Sequence, residues 1–82
     1  MDKRQHKIIV FSTPSCPWCA RVKYYLQTLK IPFKDVDVSR DKIAALEMVR
    51  KSNQDGVPQL WIDGRVIVGF DKEKIVRYLN IN

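Results

Sequence analysis

Apolar positions along the chain fall into short blocks, and their period changes from block to block. Lys7-Ile8-Ile9-Val10-Phe11-Ser12 is a β-branched run that reads as a first strand. From Pro17 to Leu29 apolar residues recur at Val22, Tyr25, Leu26 and Leu29, the spacing of one helical face. Ile31-Pro32 ends that helix, and Phe33-Lys34-Asp35-Val36-Asp37-Val38 alternates apolar with polar in the manner of a half-buried strand. These elements form a βαβ unit whose right-handed crossover makes the two strands parallel neighbours.

In the second half, Asp41 is placed to cap a helix running to about Ser52, with Ile43, Leu46 and the Ala and Val positions predicted as its apolar side. Gln59-Leu60-Trp61-Ile62 and Arg65-Val66-Ile67-Val68 read as two antiparallel strands joined by Asp63-Gly64, a strong two-residue hairpin signal. Gly69-Phe70 then leads to Asp71, the cap of a last helix whose Ile75, Val76 and Leu79 pack back on the sheet. The predicted fold class is therefore α/β, a four-stranded mixed sheet flanked by three helices. Met48 and Trp61 are expected in its core.

Length and charge narrow the picture. Eighty-two residues with 45% hydrophobic content make one small domain, residues 1–82, with one core and no repeats or linkers. No apolar run approaches the ~20 residues of a membrane span, and the polar N-terminus, Met1 to Lys7, lacks the apolar stretch of a signal peptide. A cytoplasmic protein with no membrane partner is expected. Fifteen Lys and Arg against nine Asp and Glu give a net charge of +6, which suits acidic partners or anionic small molecules. The basic residues are spread out and no nucleic-acid motif occurs, so no nucleic-acid partner is expected. Arg21 and Lys23 read as a solvated helix face, and His6, in the polar tail, needs no role.

The chain's only two cysteines form Cys16-Pro17-Trp18-Cys19, between the first strand and the first helix. With Cys16 at the helix N-terminus, unpaired backbone N–H groups and the positive end of the helix dipole favour its thiolate, the reactive form. Cys19, one turn further in, is placed to attack a mixed disulfide on Cys16. Cys16 is thus the nucleophile and Cys19 the resolving thiol. Pro17 suits the first helical position, and Trp18 adds an apolar face beside the sulfur. As a structural disulfide the pair closes a loop too small to stabilise much, and in a reducing compartment a vicinal pair is more often catalytic. A closed zinc site needs four ligands, and one protomer adds only His6, outside any metal-ligand spacing; no metal is expected within one protomer, while one bridged between two protomers stays open. Asp37 ends the second strand, and nothing in the spacing brings it to Cys19.

Three segments carry a family resemblance: Thr13-Pro14-Ser15-Cys16-Pro17-Trp18-Cys19 after the first strand, Gly56-Val57-Pro58-Gln59-Leu60 before the third, and Val68-Gly69-Phe70-Asp71 before the last helix. In these the chain resembles the glutaredoxins, of the dithiol CPWC type, within the thioredoxin-like fold. The resemblance spans nearly the whole chain. It implies a dithiol–disulfide oxidoreductase that reduces protein disulfides or glutathione mixed disulfides, as a monomer, with no bound cofactor and glutathione as a co-substrate. It also implies a cis Val57–Pro58 bond packed against Cys16, with the Val57 backbone turned into the cleft to pair with an extended substrate or glutathione.

Typical glutaredoxins follow a Gly-Gly pair with an acidic residue that holds the γ-glutamyl end of glutathione. Here Gly69 keeps the second glycine, Val68 replaces the first, and Lys72 stands where many members have the acid, leaving Asp71. With Phe70, and with Arg50, Lys51 and Gln54 ahead of Val57-Pro58 to pair with carboxylates, these residues make up the implied glutathione subsite. A Gly-Phe turn also occurs in glutaredoxin-like proteins reduced by thioredoxin reductase, so glutathione and thioredoxin reductase both stand as electron donors. An alternative function follows from the same resemblance: an iron–sulfur scaffold or carrier, in which two protomers each give Cys16 to a cluster and glutathione supplies the remaining thiolates. Pro17 opposes it, because cluster-holding members usually have Gly or Ser there.

Overall fold

Side chains alternate across a strand, so a β-run with apolar residues at every position must be covered on both faces. The structure, a computed structural model, meets that requirement with helices on each side of one sheet. It describes residues 6–80; the rest of the polar stretch Met1 to Lys7, and the last two residues of the expected 1–82 domain, lie outside the described residues. The elements are β1 (Ile8–Ser12), α1 (Pro17–Thr28), β2 (Lys34–Asp37), α2 (Lys42–Ser52), β3 (Gln59–Ile62), β4 (Arg65–Val68) and α3 (Lys72–Leu79). The sheet order is β2-β1-β3-β4, with β2 parallel to β1 and the remaining pairs antiparallel. No helix among the described residues is long and apolar enough to cross a membrane.

The alternation divides the core in two. Ile8 and Val10 of β1 and Leu60 and Ile62 of β3 join the α1 residues Val22 and Leu26 and the α3 residues Ile75 and Leu79. Phe11 faces the other way, against Ala44 and Met48 of α2, with Trp61 and Val57 packed beside them. Phe11 and Trp61 meet edge to face, ring centroids 4.7 Å apart. Met48 is core as expected, whereas Trp61 is only half-buried.

Helix ends follow local chemistry. Asp41 accepts the Ala44 N–H at 3.0 Å and Asp71 the Lys74 N–H at 3.2 Å, so both caps read from sequence are in place. Helix α1 stops at Thr28 rather than Leu29 because the reversal lies at Lys30, not at Pro32. Lys30 takes the left-handed conformation (φ 58°), its N–H donates to the Gln27 carbonyl at 2.9 Å, and the Ile31 N–H donates to the Leu26 carbonyl at 3.1 Å. Those two bonds satisfy carbonyls that the helix end otherwise leaves free, with Ile31 buried against the same core as Leu26.

Two expectations are corrected. Ile43 and Leu46, predicted on the apolar side of α2, are 71% and 64% exposed. Val49, also expected on that side, is exposed as well. Ala44 and Met48, both expected inward, are the positions that face the sheet: Phe11 and Trp61 already fill it, and a small Ala and a pliable Met fit against them. His6 also has a structural role. Its Nδ1 lies 2.6 Å from Asp63 Oδ2 and its Nε2 3.1 Å from the Leu79 carbonyl oxygen, tying the entry to β1, the hairpin turn and the end of α3 together. Asp63 also accepts the Lys7 N–H at 2.8 Å, and the His6 and Lys7 bonds hold its carboxyl below the usual carboxylate range. Asp63 (φ 53°) and Gly64 (φ 86°) both adopt the positive φ that a two-residue hairpin turn needs.

The inward and outward faces of α2 predict opposite mutational costs. Met48→Ala is expected to lose about 2–5 kcal/mol in urea unfolding, while Ile43→Lys changes it by less than about 0.5 kcal/mol. A large loss in Ile43→Lys would place that side chain in the core after all.

Candidate functional site

Antiparallel pairing of Phe11 with Gln59 sets the chain leaving β1 beside the chain entering β3. Cys16 and Pro58 come from those two segments. Cys16 is the N-cap of α1, in extended conformation (φ −100°, ψ 110°), and Pro17 begins the helix. A cap residue ordinarily offers a side-chain oxygen to the first free N–H groups; here Cys16 Sγ does so, accepting the Cys19 N–H at 3.1 Å. The Cys16 carbonyl accepts the Ala20 N–H at 3.2 Å and its own N–H donates to the Thr13 carbonyl at 3.4 Å, so the residue is held from both sides.

The second wall is the Val57–Pro58 peptide, which is cis. Cys16 Sγ–H donates to the Val57 carbonyl at 3.9 Å, a long contact of the kind sulfur makes. The Gly69 N–H donates to the Pro58 carbonyl at 2.8 Å, fastening the turn before α3 to the same loop. Gly69 has φ 84°, a conformation that side chains rarely adopt. Phe70 then projects toward Trp18, ring centroids 6.4 Å apart. Trp18 itself is 55% exposed, an open apolar face one residue from each neighbouring site position.

The two sulfurs, both free thiols, occupy different surroundings. Cys19 is buried, 1% exposed, among the residues under α1. Its thiol is pushed up to about 11, first by burial and then by the hydrogen bond with Cys16, while the Thr13 backbone and the Lys23 charge pull the other way. Lys23 in turn is held by Asp35, Nζ to Oδ2 2.9 Å, and Asp35 also accepts the buried Ser12 hydroxyl at 2.7 Å. Asp37, the last residue of β2, accepts both the hydroxyl and the N–H of Ser39, which hold its carboxyl low.

The basic residues ahead of Val57 gather elsewhere. Lys51, in the last turn of α2, lies over the Trp61 ring with Nζ 5.4 Å from its centroid, and Arg50 lines a shallow groove with Glu47, Lys51 and Trp61. Gln54 acts through its backbone, accepting from Gln59 and donating to Ser52 Oγ. Asp71 caps α3. Gln59 was not singled out by the sequence analysis. Fully buried, its Nε2 donates to the Gln54 carbonyl at 3.0 Å and the Gly56 carbonyl at 2.9 Å, so it props the loop that ends in Val57-Pro58. The available signal was a single amide opening an otherwise apolar strand.

Known proteins share this arrangement. The glutaredoxin family model matches residues 8–67. An uncharacterized glutaredoxin-like 8.6 kDa protein of the Clostridium pasteurianum rubredoxin operon is 48% identical over 68 residues, covering 83% of this chain and 91% of that one. Glutaredoxin 3 of Escherichia coli K12 is 29% identical over 62 residues, covering 76% of this chain and 75% of its own. Among solved structures, the thioredoxin-like protein BC3987 superposes with a TM-score of 0.82 at 32% identity, covering 88% of this chain and 99% of that one. A buckwheat glutaredoxin–glutathione complex shares the fold, with a TM-score of 0.76 at 23% identity over 95% of this chain and 80% of its own. The thioredoxin-like sheet, the paired cysteines at a helix start and the match across 8–67 together make this chain a member of the glutaredoxin family.

Proposed function

We propose that the chain is a dithiol–disulfide oxidoreductase that reduces protein disulfides or glutathione mixed disulfides through Cys16 and Cys19. The supporting observation is the pairing of a half-exposed cap sulfur, Cys16, with a buried thiol one helical turn below it. The Cys16 thiolate attacks one sulfur of a substrate disulfide; a bond from Cys16 Sγ to that sulfur forms, the substrate S–S bond breaks, and the released thiolate takes up a proton. Cys19 then loses its proton and attacks Cys16 Sγ. A Cys16–Cys19 disulfide forms and the second substrate thiolate leaves. Two electrons have passed from the dithiol to the substrate, and two from an external thiol donor, glutathione or the dithiol of thioredoxin reductase, restore the starting state.

The backbone of Val57 lines the approach to Cys16, where an extended chain adds as a short strand beside Pro58. The bonds that the Gln59 amide donates to the Gln54 and Gly56 carbonyls keep that edge in place. Trp18 and Phe70 give the leaving side an apolar wall.

NADPH consumption with hydroxyethyl disulfide tests the proposal, run once with glutathione and glutathione reductase and once with thioredoxin reductase alone. Turnover is expected with one of these donors, and none with either would end the oxidoreductase reading. Cys16→Ser is expected to abolish turnover, whereas Cys19→Ser stops the dithiol route and accumulates a mixed disulfide on Cys16, seen by intact mass. Equal residual rates in the two variants would contradict the assigned roles.

The buried resolving thiol makes a separate prediction about pH. A thiol raised to about 11 is protonated throughout the neutral range and ionises only as the pH approaches that value. Brief iodoacetamide treatment of the reduced protein near pH 7 is therefore expected to add one label, on Cys16. Label on Cys19 follows only on alkalinisation toward 11 or on unfolding. Equal labelling of both cysteines at neutral pH would show that Cys19 is not shielded.

A further inference from the structure

Beside the reactive sulfurs, α1 and the start of α3 enclose an open groove of about 450 Å³. Tyr24, Tyr25 and Phe70 form its floor, Arg21 and Lys72 its sides, and none of its lining residues is acidic. Tyr24 is 68% exposed, and Tyr25 and Phe70 stand with ring centroids 5.6 Å apart. Both cations stand over aromatic rings: Arg21 lies 4.8 Å from the Trp18 centroid, and Lys72 Nζ lies 5.1 Å from that of Tyr25 and 5.8 Å from that of Phe70.

Lys72 stands over the Tyr25 and Phe70 rings at an unfavourable place for a cation. It is the first residue of α3, where the positive end of the helix dipole disfavours a cation, and it makes no ion pair among the described residues. Its charge, like that of Arg21, is available to an anion in the groove. The groove also continues the cleft: Trp18 meets Phe70, Phe70 follows Gly69, and Gly69 is bonded to the Pro58 carbonyl.

We infer that this groove receives an acidic segment carrying an aromatic side chain, next to the disulfide of the partner protein that Cys16 attacks. The inference rests on the oxidoreductase reading above and adds a substrate class to it. The rings of Tyr24, Tyr25 and Phe70 offer faces to an aromatic side chain, and Arg21 and Lys72 offer charges to carboxylates before and after it. A second copy of this chain is a poor occupant, since both surfaces are basic and the net charge is +6. Glutathione brings carboxylates but no aromatic side chain.

Two readouts test it. In the first, cysteine-free peptides of sequence type Glu-Phe-Glu or Lys-Phe-Lys are titrated into the reduced protein and followed by NMR at Trp18, Tyr24 and Phe70. The acidic peptide is expected to bind at least about fivefold more tightly at low salt, the size that two exposed ion pairs supply. The difference should shrink in 0.5 M salt and reverse in R21E/K72E. Equal binding of the two peptides, or a preference that survives in R21E/K72E, would overturn the inference. In the second, disulfide-bearing versions of both peptides are reduced in single turnovers by the wild type, and the same rate preference is expected. Loss of that preference when S-methylglutathione is added would assign the groove to glutathione instead. Failure of the wild type on hydroxyethyl disulfide would sink the redox reading, and the NMR titration would still decide the groove.

Discussion

The register between β1 and β3 holds the site together. Because Phe11 lies opposite Gln59, the five-residue stretch that ends in Cys16–Pro17 and the loop that ends in Val57–Pro58 leave the sheet side by side. The two cores lock that register. A slip of one residue would move Leu60 out of the cluster under α1 and α3 and turn the Gln59 amide into it. Burying that amide among aliphatic side chains, away from the Gln54 and Gly56 carbonyls, costs far more than any alternative pairing returns. The packing that stabilises the sheet therefore also aligns Cys16 with Val57.

Helix α1 does two jobs with one turn of chain. Its first residues leave N–H groups free, and Cys16 Sγ takes one of them; its inner face is buried, and Cys19 lies on it. Residues three apart sit close in space on a helix, so the same geometry that brings the sulfurs together gives them unequal access to solvent. A nucleophile must meet large partners, while a resolving thiol is best kept from them. The spacing of two residues between the cysteines meets both demands.

Features governed by local chemistry were legible in the sequence. Strands β3 and β4, the Asp63-Gly64 turn and the Asp41 and Asp71 caps depend on a few neighbouring residues, and each falls where the pattern put it. The cysteine pair at the start of α1 was legible for the same reason. Features set by tertiary contacts were not. Ile43 and Leu46 lie close enough in helical spacing to Ala44 and Met48 that the pattern admits all four on the inner side; only packing against Phe11 and Trp61 on the facing sheet selects Ala44 and Met48. His6 gained its partners from the hairpin and from α3, each far away in sequence. Gln59 read as one polar residue in a strand until the Gln54–Gly56 loop folded over it.

The two tryptophans divide the molecule between them in a way that bears on optical spectroscopy. Trp18 is largely exposed beside the sulfurs, under the Arg21 guanidinium. Trp61 is half-buried on the opposite face of the sheet, capped by the Lys51 ammonium. In the proposed cycle the Cys16–Cys19 bond opens and closes beside Trp18, while Trp61 stands apart from it as an internal reference. Emission from Trp61 instead follows whether α2 stays seated on Phe11. The unmodified protein thus carries one fluorophore beside the cysteine pair, placed to follow the proposed cycle, and another that reports the integrity of its fold.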